Sequence, residues 1–229
     1  MTVHRFFVAP EDAVGDRFPL PASIERQVQR VLRLHDGDRL VLLTGDGLAA
    51  TCQLQGGACV VERREVAGGE PAHRLTVAQA LLKGDALEEV VQQGTELGVA
   101  VFRLVLTERC VVRELSPRKL ERLRTVARES AEQSERAVVP TVEGPVLLEA
   151  VLGAGTVVLA ERHDGRRLRD LPPPDTVAVG PEGGFSEAEL VAADAAGVAL
   201  AGLGPRILRS RTVAAAVAAA VLSRTGDFA

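Results

Sequence analysis

Two short stretches of this 229-residue chain carry most of the groups able to do chemistry. The first, residues 177–189, reads VAVGPEGGFSEAE. A short apolar run ends there in Gly180, Pro181, Glu182, Gly183 and Gly184. Ser186, with Glu189 three residues on, has the spacing of a helix capping box. Open α/β sheets hold ligands where a strand passes through a glycine-rich turn into a capped helix, because adjacent glycines let backbone approach the ligand closely. The same pattern also describes an ordinary strand–helix turn. The second stretch, residues 203–212, reads LGPRILRSRT. Arg206, Arg209 and Arg211 come without an acid among them, and Ile207 and Leu208 sit between them. A loop that buries two aliphatics and projects guanidinium groups on either side suits an apolar ligand part beside an anionic one.

A third feature is local charge. Residues 103–136 hold nine basic and six acidic residues, and residues 162–169 hold four Arg against Asp164. Each alone is an ordinary solvated face; together they make patches of positive potential on a chain whose net charge is −4. Familiar signatures are absent. There is no phosphate-loop GxxxxGK[ST], no strand-borne GxGxxG and no GxSxG. Cys52, Cys59 and Cys110 have no CxxC spacing, and His4, His35, His73 and His163 are scattered, so neither a disulfide framework nor a metal site is expected.

These groups need a fold to position them. The hydrophobic fraction of 46% is enough for a core. Residues 1–70 are rich in strand signals: 39–44, 48–54 and 58–66, separated by Gly45-Asp46-Gly47 and Gly56-Gly57 turns. Only 23–34 looks helical, with Ile24, Val28, Val31 and Leu32 on one face. Residues 67–73 read as a linker. From 74 to 229, strands at 75–81, 101–107, 156–160, 176–179 and 198–203 alternate with helices. Asp85 with Glu88 is a capping-box candidate for the first helix, which stops at Gly98; Ser116-Pro117 opens a long one, ending before Pro140; Ser186 opens another; and 212–224 is an Ala-rich last helix. Such alternation predicts an α/β domain with a mostly parallel sheet after a small β-rich, barrel-like domain.

Composition alone points to a cytosolic small-molecule enzyme. The total charge is acidic, 25 of the 27 basic residues are Arg, with Lys83 and Lys119 the exceptions, and Phe is the only aromatic, so a base-stacking platform is missing. The Arg-rich segments argue the other way, because local rather than total charge decides nucleic-acid binding. No apolar run approaches the roughly 18 residues of a membrane span, and residues 1–10 lack a signal-peptide core, so a cytoplasmic location with reduced thiols is expected.

The two loops, Gly180 to Ser186 and Leu203 to Arg209, resemble the signature loops of the ribosomal RNA small-subunit methyltransferase E family. Other stretches in the same order support this: Arg5-Phe6-Phe7-Val8, Val31-Leu32-Arg33, Gly45-Asp46-Gly47, Thr95-Glu96-Leu97-Gly98-Val99, Glu108-Arg109-Cys110, Glu132-Gln133-Ser134-Glu135-Arg136 and Gly226-Asp227-Phe228. The resemblance spans essentially the whole chain. It implies a SPOUT-type methyltransferase domain with a deep trefoil knot, an exception to the usual rule against knots, and a PUA-like RNA-binding barrel before it. It implies a homodimer that uses S-adenosyl-L-methionine to methylate N3 of one uridine in the decoding region of 16S rRNA, without a metal. Carried onto this sequence, the cofactor loops are Leu159, Ala160 and Glu161; Gly180, Glu182, Gly183 and Gly184; and Leu203, Gly204, Ile207 and Leu208. Backbone at Gly183 and Ile207 is expected to hydrogen-bond the adenine, with Leu203 and Leu208 as apolar walls. Arg5, Arg30, Arg33, Arg109 and Arg136 are expected to face RNA, and Arg206, Arg209 and Glu182 to lie near the chemistry.

Loss of the N3 proton has two routes: Glu182 as a general base, or Arg206 and Arg209 stabilising negative charge on the uracil oxygens. The clustering of the arginines favours the second. Two positions depart from the family pattern. Arg211 stands where a Glu is usual, and Gln93 where a Lys is usual. Ribose 2′-hydroxyl methylation, or RNA binding without turnover, are the competing readings.

Overall fold

The computed structural model describes residues 3–160 and 166–228. The chain divides into two compact units, Met1–Glu70 with Ala131–Val139, and Pro71–Ser130 with Pro140–Ala229.

The first unit holds β1 (His4–Phe7), β2 (Arg17–Pro19), the short helix α1 (Ala22–Arg26), β3 (Arg39–Leu43), β4 (Leu48–Gln55) and β5 (Ala58–Val66). The five strands form one sheet in the order β1-β3-β4-β5-β2, parallel between β1 and β3 and antiparallel elsewhere. Gly56 and Gly57 both take positive φ (59° and 75°) in the β4–β5 turn, which a two-residue hairpin requires. In the β3–β4 turn the Asp46 carboxylate accepts bonds from Thr44 Oγ1 and the Leu48 N–H, and these hold it below the usual carboxylate range. Strand alternation gives the sheet two apolar faces. Phe6, Leu40, Leu42, Cys52 and Leu54 pack with Ile24 and Val28, while Phe7, Val41, Leu43 and Ala49 pack with Ala131. The predicted helix 23–34 is a single α-turn followed by a π-type turn over Gln27–Val31.

The segment Ala131–Val139, which sequence pattern leaves with the second domain, joins the first unit through polar as well as apolar contacts. The Phe7 N–H donates to Glu132 Oε1 at 2.9 Å, and Arg5 pairs with Glu135 at 2.7 Å. The Glu70 carboxylate accepts from Arg136 Nη2 (2.7 Å) and from the N–H groups of Ala137 and Val138.

The second unit contains β6 (Thr76–Ala80), α2 (Ala86–Glu96), β7 (Val101–Leu106), β8 (Thr141–Leu147), β9 (Thr156–Leu159), β10 (Thr176–Val179), α4 (Glu187–Ala195), β11 (Ala199–Ala201) and α5 (Ser210–Leu222). The intervening helix α3 (Pro117–Gln133) begins in this unit and ends in the first. All six strands are parallel, in the order β11-β9-β10-β6-β7-β8. The inner strands are buried on both faces, as continuous apolar runs require. The edge strand β8, TVEGPVL, carries Gly144 and Pro145 and no apolar run, so pattern reading misses it. Helix α5 packs on α2 and buries Ala214, Val217, Ala218, Val221 and Leu222. Asp85 makes no side-chain cap on α2. Glu88 turns instead to Lys119 (2.6 Å) and Arg122 (3.1 Å).

Candidate functional site

The strand order reverses around β6, β9 and β10, and in parallel sheets such a reversal opens a crevice beyond the carboxyl ends of the strands. The carboxyl end of β9 and the loops after β10 and β11 meet there.

The loop after β10 is rigid by construction. The Gly184 N–H closes a turn on the Pro181 carbonyl at 3.0 Å. Ser186 then makes the predicted capping box with Glu189: Ser186 N–H to Glu189 Oε2 at 2.8 Å, and Glu189 N–H to Ser186 Oγ at 3.2 Å. Glu189 Oε1 also accepts from the Glu108 N–H at 2.7 Å, so the same carboxylate fixes the segment that carries Arg109. Arg109 reaches back to donate to the Gly183 carbonyl at 3.1 Å. A Cβ on Gly180 would lie 3.3 Å from the Gly184 backbone and the Phe185 ring, so the glycine there permits the turn's tight closure.

The loop after β11 is tied to the chain by Gly202, whose N–H donates to Arg166 and whose carbonyl accepts from Leu168, both at 3.0 Å. Beyond it, the N–H groups of Leu203, Gly204, Ile207 and Leu208 donate to no partner among the described residues. Backbone donors left open at a cavity wall invite a ligand's acceptors. The two loops are pinned together by Ser210. Its Oγ donates to the Gly180 carbonyl at 2.5 Å and accepts from Gln79 Nε2 at 3.2 Å. Gln79 is wholly buried in β6, and its Oε1 has no partner among the described residues.

The end of β9 and the loops after β10 and β11 enclose a cavity of about 480 Å³. Of the predicted cofactor residues, Leu159, Ala160, Gly180, Gly183 and Gly184 line it. So do Leu203, Gly204, Ile207 and Leu208, together with Arg109 and Arg206. Glu161 lies outside the described residues. Glu182 is not in this cavity. The turn directs it to the other side, where its Oε1 accepts from the Lys83 N–H at 3.1 Å and it lines a second cavity with Arg209 and Arg211. Arg211 forms an ion pair with Glu89 at 3.2 Å. Ile207, expected to be buried, is 62% exposed at the mouth of both cavities.

The predicted RNA-facing arginines separate. Arg30 and Arg33 are exposed. Arg5 is committed to Glu135. Arg136 is 3% exposed and paired with Glu70, which makes it a buried structural cation rather than an exposed contact residue. The excess positive charge of 103–136 is also largely paired: Arg103 with Glu143, Lys119 and Arg122 with Glu88, and Arg124 with Glu121. Sequence reasoning missed Ser210 and Gln79. A polar residue in the apolar run of β6 was the available signal for Gln79; Ser210 carried none, since Arg209 rather than the serine holds the N-cap of α5.

Residues 69–223 match the family model described as an RNA methyltransferase domain. Along 91% of this chain and 74% of the relative, the sequence is 36% identical to ribosomal RNA small subunit methyltransferase E of Synechocystis sp.. The chain belongs to this family. The corresponding protein of Bacillus subtilis is 31% identical, with 85% of each chain covered. The solved structure of the Neisseria gonorrhoeae enzyme bound to S-adenosyl methionine superposes with a TM-score of 0.87 at 28% identity, covering 97% of this chain and 98% of that one. The three cysteines are buried free thiols. No helix among the described residues is long and apolar enough to cross a membrane.

Proposed function

We propose that this methyltransferase-family chain transfers a methyl group from S-adenosyl-L-methionine to N3 of a uridine in the decoding region of 16S rRNA, working as a cytoplasmic homodimer. The observation that carries the reading is the cavity built by the end of β9 and the loops after β10 and β11, whose residues fit the cofactor. Leu159, Leu203 and Leu208 offer apolar walls to an adenine, and the open N–H of Ile207 suits its ring nitrogens. The glycines at 183 and 184 let backbone close on the ligand. When bound, the cofactor supplies an electrophilic sulfonium methyl.

The protein's own part is to make the uracil nucleophilic. Arg206 at the rim of this cavity and Arg209 in the adjoining one can stabilise negative charge spreading onto the uracil oxygens, which lowers the cost of losing the N3 proton. Glu182 is the less favoured base, because its carboxylate is already engaged by the Lys83 N–H. The family's SPOUT-type knot and PUA-like barrel are part of the proposal. The parallel sheet with β9 and β11 beyond β10 supports the first, and the five-stranded sheet of residues 1–70 supports the second.

The test is nucleoside mass spectrometry of 16S rRNA from cells lacking the protein. Loss of 3-methyluridine, restored by the wild-type chain and not by Arg209→Ala, is the expected result. Unchanged 3-methyluridine, or loss of a ribose 2′-O-methyl mark instead, overturns it.

A further inference from the structure

Helix α5 runs on into a 3₁₀ turn, Ser223–Thr225, whose footing is well fixed. Leu222 is wholly buried, and its Cδ1 lies 3.2 Å from where a Cβ on Gly98, just past α2, would sit. The Leu222 carbonyl accepts from Thr225 Oγ1 at 2.9 Å and from the Asp227 N–H at 3.2 Å, a return that Gly226 permits with a positive φ of 91°. Arg224 projects from this turn. Its Nη1 donates to the Leu168 carbonyl at 3.1 Å and its Nη2 to the Leu171 carbonyl at 2.5 Å. These carbonyls stand at the start and the C-cap of a second 3₁₀ turn, Leu168–Asp170. The segment that contains it also grips Gly202: the Leu168 N–H donates to the Gly202 carbonyl and the Arg166 carbonyl accepts from the Gly202 N–H, both at 3.0 Å. Among the described residues, 166–171 are hydrogen-bonded to the rest of the chain only through Gly202 and Arg224. Of these six residues only Leu168 is buried, so little packing replaces those bonds.

We propose that Arg224 is a positioning residue for S-adenosylmethionine, acting through Leu168 and Gly202 on the loop after β11. The proposal rests on the cofactor reading of the first cavity. Arg224 does not line that cavity, but Gly202 does, and Leu203 and Gly204 beside it present open N–H groups there. The root of this loop is held by two segments. The Ala201 carbonyl accepts from the Ala160 N–H at 3.0 Å, so the end of β9 fixes one residue of it. The N–H and carbonyl of Gly202 depend on residues 166–168 instead, and those depend on Arg224. The planar guanidinium suits the task, since two Nη groups at a fixed spacing hold two carbonyls at once, whereas an ammonium is a single point of contact. Loss of the side chain leaves Gly202 tied to a segment that is itself free to open, and the cofactor must then re-form the loop on binding.

The experiment is calorimetric titration of the full chain with S-adenosylmethionine, well below every variant's Tm, on wild type, Arg224→Ala and Arg224→Lys. Amide hydrogen exchange at Leu168 and Gly202, followed by NMR, reports the route. Arg224→Ala should raise Kd about tenfold, the equivalent of one charge-assisted hydrogen bond, and should speed exchange of both amides by about tenfold or more. Arg224→Lys keeps the charge and one of the two contacts, so its Kd and its exchange rates should fall between those of wild type and Arg224→Ala. A lower Tm for Arg224→Ala with Kd unchanged overturns the proposal, because the residue then serves stability alone. Weaker binding with unchanged exchange at Leu168 and Gly202 overturns it too, because the effect then travels by another route. Should Arg224→Ala fail to fold, Arg224→Lys carries the same two readouts and the same two refutations. Failure of the wild type to bind S-adenosylmethionine instead overturns the cofactor reading, while the exchange rates still report whether Arg224 holds Gly202, so the two failures are distinguishable.

Discussion

Removing one hydroxyl, with Ser210→Ala, tests whether the two cavity loops act as a single preorganised unit. Ser210 Oγ bridges the Gly180 carbonyl (2.5 Å) and Gln79 Nε2 (3.2 Å), so it links the loop after β10, the start of α5 and the centre of the sheet. Gln79 is fully buried and already has an unpaired Oε1; its Nε2 keeps only the Ala80 carbonyl, at 3.1 Å, once the hydroxyl is gone. A typical hydrogen bond contributes about 0.5–1.5 kcal/mol net, and a stranded buried polar group costs about 1–3 kcal/mol. Two lost bonds therefore come to about 2 kcal/mol. Part of this appears as global stability, at about 2–4 °C in Tm per kcal/mol for a chain of this size. The rest appears as disorder of the Gly180 loop, which a ligand must re-form on binding. A share of about 1.4 kcal/mol weakens S-adenosylmethionine binding about tenfold.

Calorimetric Kd for S-adenosylmethionine and a thermal melt, on wild type, Ser210→Ala and Ser210→Thr, measure both parts. The Thr variant retains the hydroxyl and should bind within about threefold of wild type, a difference of well under one hydrogen bond. A Ser210→Ala protein whose Kd stays within about twofold of wild type refutes the clamp, since a loop ordered by this hydroxyl cannot lose about 2 kcal/mol silently. Equal losses in the Ala and Thr variants refute it as well, because shape rather than hydrogen bonding would then be at work.

Arg136→Ala should lower stability by about 3 kcal/mol, because it strands the Glu70 carboxylate of a largely buried pair; chemical denaturation measures this, and an unchanged midpoint with weakened RNA binding would restore Arg136 to the RNA face. Lys119 and Arg122 hold Glu88 below the usual carboxylate range, and Glu88 raises Lys119. For the carboxylate, the stabilisation is present above its unfolded value and is lost as pH falls through the lower folded value; for the amine, it is present below its unfolded value and is lost as pH rises through the higher folded one. The Tm difference between wild type and Glu88→Gln should therefore be flat from about pH 5 to pH 10 and shrink on both sides, and a difference that persists at pH 2 contradicts the assignment. Arg30 and Arg33 are the exposed members of the predicted RNA set, so replacing both by Ala should reduce the salt dependence of RNA affinity by about one to two units of log–log slope, with S-adenosylmethionine binding unchanged.

Where local chemistry decides, residue pattern and structure coincide. The strand Thr176–Val179, the capping box at Ser186 and Glu189, and the hairpin through Gly56 and Gly57 each depend on a few neighbouring residues whose types force the geometry. Legibility fails where a distant partner decides. Asp85 and Glu88 have the spacing of a capping box, but Lys119 and Arg122 on α3 compete for Glu88 and win. Arg136 belongs to a basic, family-like stretch, and only Glu70, 66 positions away, turns it into a buried structural cation. β8 has neither alternation nor an apolar run, and its place comes from pairing with β7.

The candidate site divides along the same line. Glycines and arginines at two loops marked it, because turn geometry and charge are local properties. Which residues share a cavity is a property of strand order. β9 and β11 lie together beyond β10, and this brings Leu159 and Ala160 beside Leu203 and Leu208, more than forty positions on. The same order turns Glu182, only one residue from Gly183, into the neighbouring cavity. Adjacent residues of one signature loop thus line two cavities. The Gly183 side faces the cavity that fits the cofactor, and the Glu182 side faces the cation-lined cavity beside it. With Ser210 in the wall between them, a change at either loop is felt in both cavities. Substitutions in residues 180–184 should therefore weaken S-adenosylmethionine binding even at Glu182, whose side chain faces the other cavity, as calorimetric Kd values would show.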